Sequence, residues 1–252
     1  MQAVRFRVLT YNIHKGFSAG NRRLVLHRIR EELRNTGADI AFFQEIHGQH
    51  TEHGKNIEDW PSSSQFEFLA DEVWPHYAYG RNAIYAEGHH GNAILSKYPF
   101  HNWQNINISS MQRASRSILH GIVEFPEHGN RLHVICVHLD ILGYERKRQL
   151  GILNNHIQKC ILPHEPVILA GDFNDWRGQV TRLLDSSLQL LEVFMDSNGR
   201  HAKTYPAWCP MFQVDRIYYR GVRRINSTCL DQEHWKSLSD HLPLQAEFEL
   251  LL

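Results

Sequence analysis

Residues 167–174 read Val-Ile-Leu-Ala-Gly-Asp-Phe-Asn, and this stretch decides the fold class. Val167 to Ala170 form a short apolar run of the kind a buried strand requires. Gly171 then relaxes the backbone, so the run delivers Asp172 and Asn174 just past a strand end.

The same placement recurs along the chain. Asn12 ends VLTYN, Glu45 ends DIAFFQE and His138 ends HVICVHLD. Asp215 precedes RIYY, and Asp240 with His241 stands in LSDH before the last apolar run. Strands of one sheet present their ends to a common edge, so polar groups there can converge in a cleft. Taken singly, each has an ordinary alternative. Asn12 reads as a turn residue, Glu45 as a solvated loop carboxylate, and Ser239 with Asp240 as a turn cap. A histidine such as His138 inside an apolar strand is more often a satisfied core residue.

Strand-like runs cover Phe6 to Tyr11, Ile40 to Gln44, Asn92 to Ser96, Leu119 to Phe125, Leu132 to Leu139, Val167 to Ala170, Arg216 to Tyr219 and Leu244 to Leu251. Between them, Asn21 can cap a helix to about Thr36, with Leu26, Ile29 and Leu33 on one face and Gly37 as its stop. A second helical pattern runs from about Tyr144 to Cys160 and a weaker third from about Gln179 to Leu190. The remaining connections are mostly too short for helical crossovers, so many neighbouring strands should be antiparallel. The class is α/β (α+β), with mixed sheets covered by helices.

Composition sets the outer bounds. Across 252 residues, 27 Lys plus Arg balance 27 Asp plus Glu. That neutrality argues against tight, processive nucleic-acid binding, which feeds on basic excess, and leaves a local basic cleft open. No apolar run approaches the roughly 20 residues that cross a bilayer, and the start lacks a leader pattern. A cytoplasmic protein without stable membrane insertion is expected. Cys136, Cys160, Cys209 and Cys229 show no CxxC spacing and read as buried free thiols. With no linker, repeat or composition break, residues 1–252 read as one domain. No protein partner can be inferred.

Joint occurrence carries the chemistry. LTYNIHKG around Asn12, FFQE at Glu45, GNAILSKYP around Asn92, VHL at His138, AGDFND, TYP at Thr204 to Pro206, VDRIYY at Asp215 and LSDHLPL follow in one order. That order resembles the endonuclease/exonuclease/phosphatase (deoxyribonuclease I-like) superfamily over nearly the whole chain. The NIHKGF and EGHHGN segments look most like a small uncharacterised bacterial branch of it. The resemblance implies a four-layer sandwich of two mixed, largely antiparallel sheets flanked by helices, with the site at one sheet edge.

It also implies a divalent-metal-dependent hydrolase of phosphate esters. Glu45 would be the principal ligand for Mg²⁺ or Mn²⁺, with Asn12 and Asp240 beside it, since these ions favour oxygen donors. Asp172 would orient and deprotonate the attacking water, and Asn174 would hold that water or a phosphate oxygen. His241 would donate to a phosphate oxygen, with Asp215 fixing its tautomer. His138 would be a second phosphate-side histidine and a candidate proton donor to the leaving group. Asn92 and Arg116 would contact substrate.

The sequence also departs from the superfamily. Where some nuclease members carry a glutamate, AEGHHGN puts His89 or His90, which puts the donor role of His138 in doubt. That segment reads either as a substrate contact or as a solvated turn. Arg146, Lys147 and Arg148 read as a solvated helix face or a phosphate-side patch. PAWCPMF (206–212) could line a pocket for a base or a lipid, or pack as a loop. The expected substrate is a phosphodiester, in nucleic acid or a phospholipid headgroup. The alternatives are a phosphomonoester of a small metabolite and a catalytically silent binding protein.

Overall fold

The computed structural model describes residues 3–71, 73–110, 116–126 and 129–250. The chain runs through β1 (Val4–Asn12), α1 (Leu26–Thr36), β2 (Ile40–His50), α2 (Thr51–Asn56), α3 (Gln65–Ala70), β3 (His76–Tyr85), β4 (Gly88–Ser96) and β5 (Phe100–Asn107). It continues through β6 (Ser117–Phe125), β7 (Asn130–His138), α4 (Gly143–Cys160), β8 (Val167–Asp172), α5 (Gln179–Leu188) and β9 (Leu191–Glu192). The last elements are α6 (Val193–Asn198), β10 (Asp215–Arg220), β11 (Arg223–Cys229) and β12 (Leu244–Leu250).

The described residues form two six-stranded sheets, ordered β11-β12-β1-β2-β4-β3 and β5-β6-β7-β8-β10-β9. β1 and β2 pair in parallel, as do β7 and β8, while the other neighbours are antiparallel. This is the mixed, helix-flanked sandwich expected from the sequence.

The continuous apolar runs follow from the layering. Adjacent strand residues point to opposite faces, so a strand covered on both sides must be apolar at every position. Val8, Phe42, Cys136 and Ile168 pack into the core between the sheets. Their neighbours Leu9 and Phe43 turn outward to Leu26, Ile29 and Leu33 of α1. Val137 and Leu169 turn outward to Leu153 and Ile157 of α4 and Leu184 of α5. No helix among the described residues is long and apolar enough to cross a membrane.

Two local expectations need correction. α1 begins at Leu26 with Val25 as its N-cap, not at Asn21. Asn21 instead closes a short 3₁₀ turn with φ of 56°, because residues 17 and 24 bridge across it. Gly37 ends the helix as expected, in the left-handed region at φ 65°. The EGHHGN segment is not a turn: His89 and His90 lie within β4, and His89 is buried. Leu251, expected to end the last strand, falls outside the described residues.

Candidate active site

Three neighbouring strands set a row of titratable side chains. In register, His138 of β7 faces Asp172 of β8, which faces Asp215 of β10. Gly171 makes this possible: its φ is 146°, and a Cβ there would lie 2.0 Å from the Val137 carbonyl oxygen. Only glycine lets β8 approach β7 this closely while turning the Asp172 side chain to the sheet edge.

Asp172 is 2% exposed. One carboxylate oxygen accepts the Asn174 backbone N–H at 2.9 Å, and the other accepts from Asn12 Nδ2 at 3.3 Å. Burial pushes its pKa up to about 7 against the pull of His241. Asn174 adopts φ of 49°, a conformation asparagine tolerates better than most residues, and its Nδ2 donates to the Leu139 carbonyl at 2.9 Å. Its amide oxygen remains as the acceptor on the cavity side.

His241 Nδ1 lies 2.8 Å from Asp215 Oδ2, and Nε2 lies 3.9 Å from Asp172 Oδ2. The Thr204 hydroxyl donates to the same Asp215 oxygen at 2.5 Å. Burial opposes the imidazolium, but attraction to Asp215 and its hydrogen bond prevail and raise the pKa to about 10. His241 is therefore a cation at neutral pH.

His138 sits differently. The Arg116 guanidinium, which can only donate, lies 3.1 Å from Nδ1, so the ring proton resides on Nε2. Nε2 faces Asp172 Oδ2 at 3.4 Å. Burial and the charge of Arg116 hold the ring well below the ordinary histidine pKa. A neutral ring whose proton is shared with Asp172 has none to deliver to a leaving group, so the donor role expected of His138 does not fit. Its place is to orient Asp172.

Glu45 and Asp240 belong to the other side of the same cavity. Asn12 ends β1 with Oδ1 accepting the His14 N–H at 3.1 Å, and Ser239 Oγ donates to the Asn12 carbonyl at 2.7 Å. These bonds dock the loop carrying Asp240 against β1. His14 Nδ1 then reaches Asp240 at 3.2 Å, and Lys15 Nζ reaches Glu45 at 3.8 Å. Burial of Asp240 is outweighed by the His14 hydrogen bond and His241, which lower its pKa.

A cavity of about 470 Å³ joins these groups. Asn12, Glu45, Arg116, His138, Asp172, Asn174, Asp240 and His241 line it, together with an apolar rim of Ile141, Trp176, Tyr205 and Phe212. Asp215 stands behind His241. Asn92 does not reach the wall: it is fully buried, and its Nδ2 donates to the Ser117 carbonyl at 3.3 Å, tying the two sheets. Arg146 is neither a phosphate-side group nor solvated. Buried, it donates to the Asp140 and Ile141 carbonyls and lies 5.4 Å from the Trp176 ring centroid, bracing the rim. Phe212, from PAWCPMF, lies on the rim while Trp208 stays exposed.

The motifs NIHKG and TYP contain His14, Lys15, Thr204 and Tyr205 but assigned them no role, and the rim residue Trp176 lay outside every motif. The signal for the first two was their position directly after Asn12 in NIHKG.

The donor set suits a hard divalent cation. Glu45, Asp240 and the Asn12 amide offer oxygens to the cavity, with His14 beside Asp240 and Lys15 beside Glu45. A tighter group, Asp172, Asp215 and His241, has ligand atoms all within 4.8 Å of one another. It is the poorer cage because its imidazole is protonated, although Asp215 Oδ1 is buried without a hydrogen-bond partner among the described residues.

Residues 9–241 match the model of the Endonuclease/Exonuclease/phosphatase family. The chain is 44% identical over 250 residues to the uncharacterised protein YbhP of Escherichia coli strain K12, covering 99% of this chain and 98% of that one. It is similar in fold to an endonuclease/exonuclease/phosphatase from Beutenbergia cavernae, with a TM-score of 0.79 at 19% identity over 98% of this chain and 72% of that one. D. rerio TDP2, complexed with a single-strand DNA product, gives a TM-score of 0.71 at 19% identity over 97% and 98% of the two chains.

Proposed function

This chain belongs to the endonuclease/exonuclease/phosphatase family, whose members are metal-dependent phosphoesterases, and on that premise we propose that it hydrolyses phosphodiesters by attack of water. The observation that carries this reading is Asp172, a buried carboxylate near pKa 7, beside the imidazolium of His241. A base poised near neutrality next to a fixed cation is what water attack on an anionic ester needs.

Glu45, Asn12 and Asp240 would hold Mg²⁺ or Mn²⁺, which when bound neutralises charge on the phosphate and assists the leaving oxygen. Asp172 takes the proton of the attacking water, and the Asn174 amide oxygen orients that water. His241 donates from Nε2 to a non-bridging phosphate oxygen, and Asp215 holds it protonated. Arg116 adds a second cation to the phosphate side.

The rim supports a diester. Trp176 and Phe212 are 42% and 43% exposed beside the polar floor, so a base or an apolar group on either side of the phosphate finds a stacking surface. A small metabolite monoester is the second reading, favoured by the modest cavity volume. The four cysteines are free, and Cys160 and Cys209 are exposed rather than buried as expected.

The test is turnover with Mg²⁺ or Mn²⁺ on bis-p-nitrophenyl phosphate, p-nitrophenyl phosphate, plasmid and single-stranded DNA, RNA and phospholipid vesicles. Diester turnover is expected, and the polymer and lipid arms separate its two sources. Turnover of monoesters alone replaces the reading with the second one. No turnover of any ester by folded protein defeats both.

A further inference from the structure

Beside the catalytic cavity lies a second one of about 440 Å³, and Lys15 lines both. Four histidines line it: His47, His50, His53 and His90. Three elements supply them. His47 lies on β2 directly opposite His90 of β4, just beyond the bulge that follows Phe43. His50 and His53 lie at the start of α2.

Among the described residues, three ring nitrogens at this cavity are buried without a hydrogen-bond partner: His47 Nε2, His53 Nδ1 and His90 Nδ1. An unmet buried polar atom costs about 1–3 kcal/mol, so three around one cavity ask for a common partner. The other nitrogen of His47, Nδ1, lies 3.1 Å from the Tyr85 hydroxyl. Donation of Nδ1–H to that oxygen leaves Nε2 as the bare lone pair, the arrangement that orients a metal-binding imidazole.

Spacing points the same way. The His47 ring centroid lies 5.6 Å from that of His53 and 5.8 Å from that of His90. Imidazoles on a tetrahedral ion, with metal–nitrogen bonds of about 2.0–2.1 Å, have centroids on the order of 5 Å apart. His50 plays another part. Its Nδ1 accepts the His53 backbone N–H at 3.1 Å, which puts its neutral-form proton on Nε2, and its ring lies parallel to that of His53 at 3.4 Å.

We propose that His47, His53 and His90 bind a divalent transition ion of the Zn²⁺ type, separate from the oxygen-ligated ion at Glu45, with a fourth position open to the cavity. Neutral imidazoles select such ions over Mg²⁺. Their ring nitrogens are not all within 4.8 Å of one another, so capture requires a ring to move inward. His53 is the adjustable member, being partly exposed on a six-residue helix. Because His47 follows Glu45 by two residues on β2, the bound ion braces the β2 bulge that carries Glu45.

Co²⁺ titration of the full, tag-free chain tests this, read by visible absorption, by equilibrium dialysis and by the shift in Tm. One equivalent with intense tetrahedral bands is expected in the wild type and equally in Glu45→Gln. His53→Gln, on a surface helix, should keep its circular dichroism while losing the bands and at least tenfold in affinity. His90→Gln should behave alike. Absence of the bands in the wild type, their persistence in His53→Gln, or their loss in Glu45→Gln would each overturn the proposal.

Discussion

Asp215 holds His241 from behind: Oδ2 of the one lies 2.8 Å from Nδ1 of the other, while Thr204 donates to the same oxygen. Asp215 is 1% exposed and stays off the cavity wall, so it acts through the imidazole it holds and, by its charge, on the neighbouring Asp172. It is a positioning residue.

Asp215→Asn removes the charge that keeps His241 protonated. Turnover should fall by about 10²–10⁴-fold with little change in KM. The alkaline limb of the kcat profile should also move down from near 10, since the raised pKa of His241 rests on Asp215. An unmoved alkaline limb would show that His241 does not act as the cation.

The wild-type pH profile should be a bell. Asp172 must be ionised to accept a proton, so activity rises as pH climbs through its pKa near 7. His241 must stay protonated, so activity falls as pH passes about 10. A divalent ion at Glu45 and Asp240 stabilises the Asp172 carboxylate, so more metal should shift the acid limb downward. An acid limb that ignores metal concentration would place the base elsewhere.

The aromatic rim predicts a selectivity effect. Phe212→Ala or Trp176→Ala should raise KM for a dinucleotide about tenfold, given about 1–3 kcal/mol per stacked base. Methyl p-nitrophenyl phosphate should be nearly unaffected. Equal losses on both substrates would make the rim structural.

Far from the cleft, a buried histidine chain should make the fold acid-sensitive. His120 Nδ1 lies 2.9 Å from His156 Nε2, and its Nε2 lies 2.9 Å from His133 Nδ1. Burial lowers the pKa of His120 to about 3 and lowers those of its two neighbours. Below the ordinary histidine pKa near 6.5 the unfolded chain takes up protons that the folded chain refuses. This contribution to stability is complete above that value and shrinks as pH falls. For His120 this costs about 1.4 kcal/mol per pH unit. Urea unfolding between pH 7 and 4.5 should show a shallower slope for His120→Gln, and equal slopes would refute the assignment.

The sandwich and much of its edge were legible because strands buried on both faces leave long apolar runs that end in polar residues. Asp172, Asn174 and His241 stood out on that ground. The strands β3, β5 and β11 did not, because β5 exposes most of its polar sequence FHNWQNIN and edge strands need no apolar pattern. His14 and Lys15 were hidden for a different reason. Their positive φ values of 46° and 58° fold the chain back over the cleft, a turn geometry with no simple residue signature. Asn92 was misplaced because a strand residue can face another sheet as readily as the cleft. Arg146 was misread because a helix surface looks the same in sequence whether water or a loop covers it.

The central claim is that Asp172 is the base for metal-dependent attack of water on a phosphodiester. Single-turnover hydrolysis of bis-p-nitrophenyl phosphate with Mn²⁺, for wild type and Asp172→Asn at matched metal saturation, tests it most directly. The account predicts a fall of about 10²–10⁴-fold in the rate of the chemical step, with the acid limb near pH 7 abolished. A rate within a few-fold of wild type, with that limb intact, would contradict it.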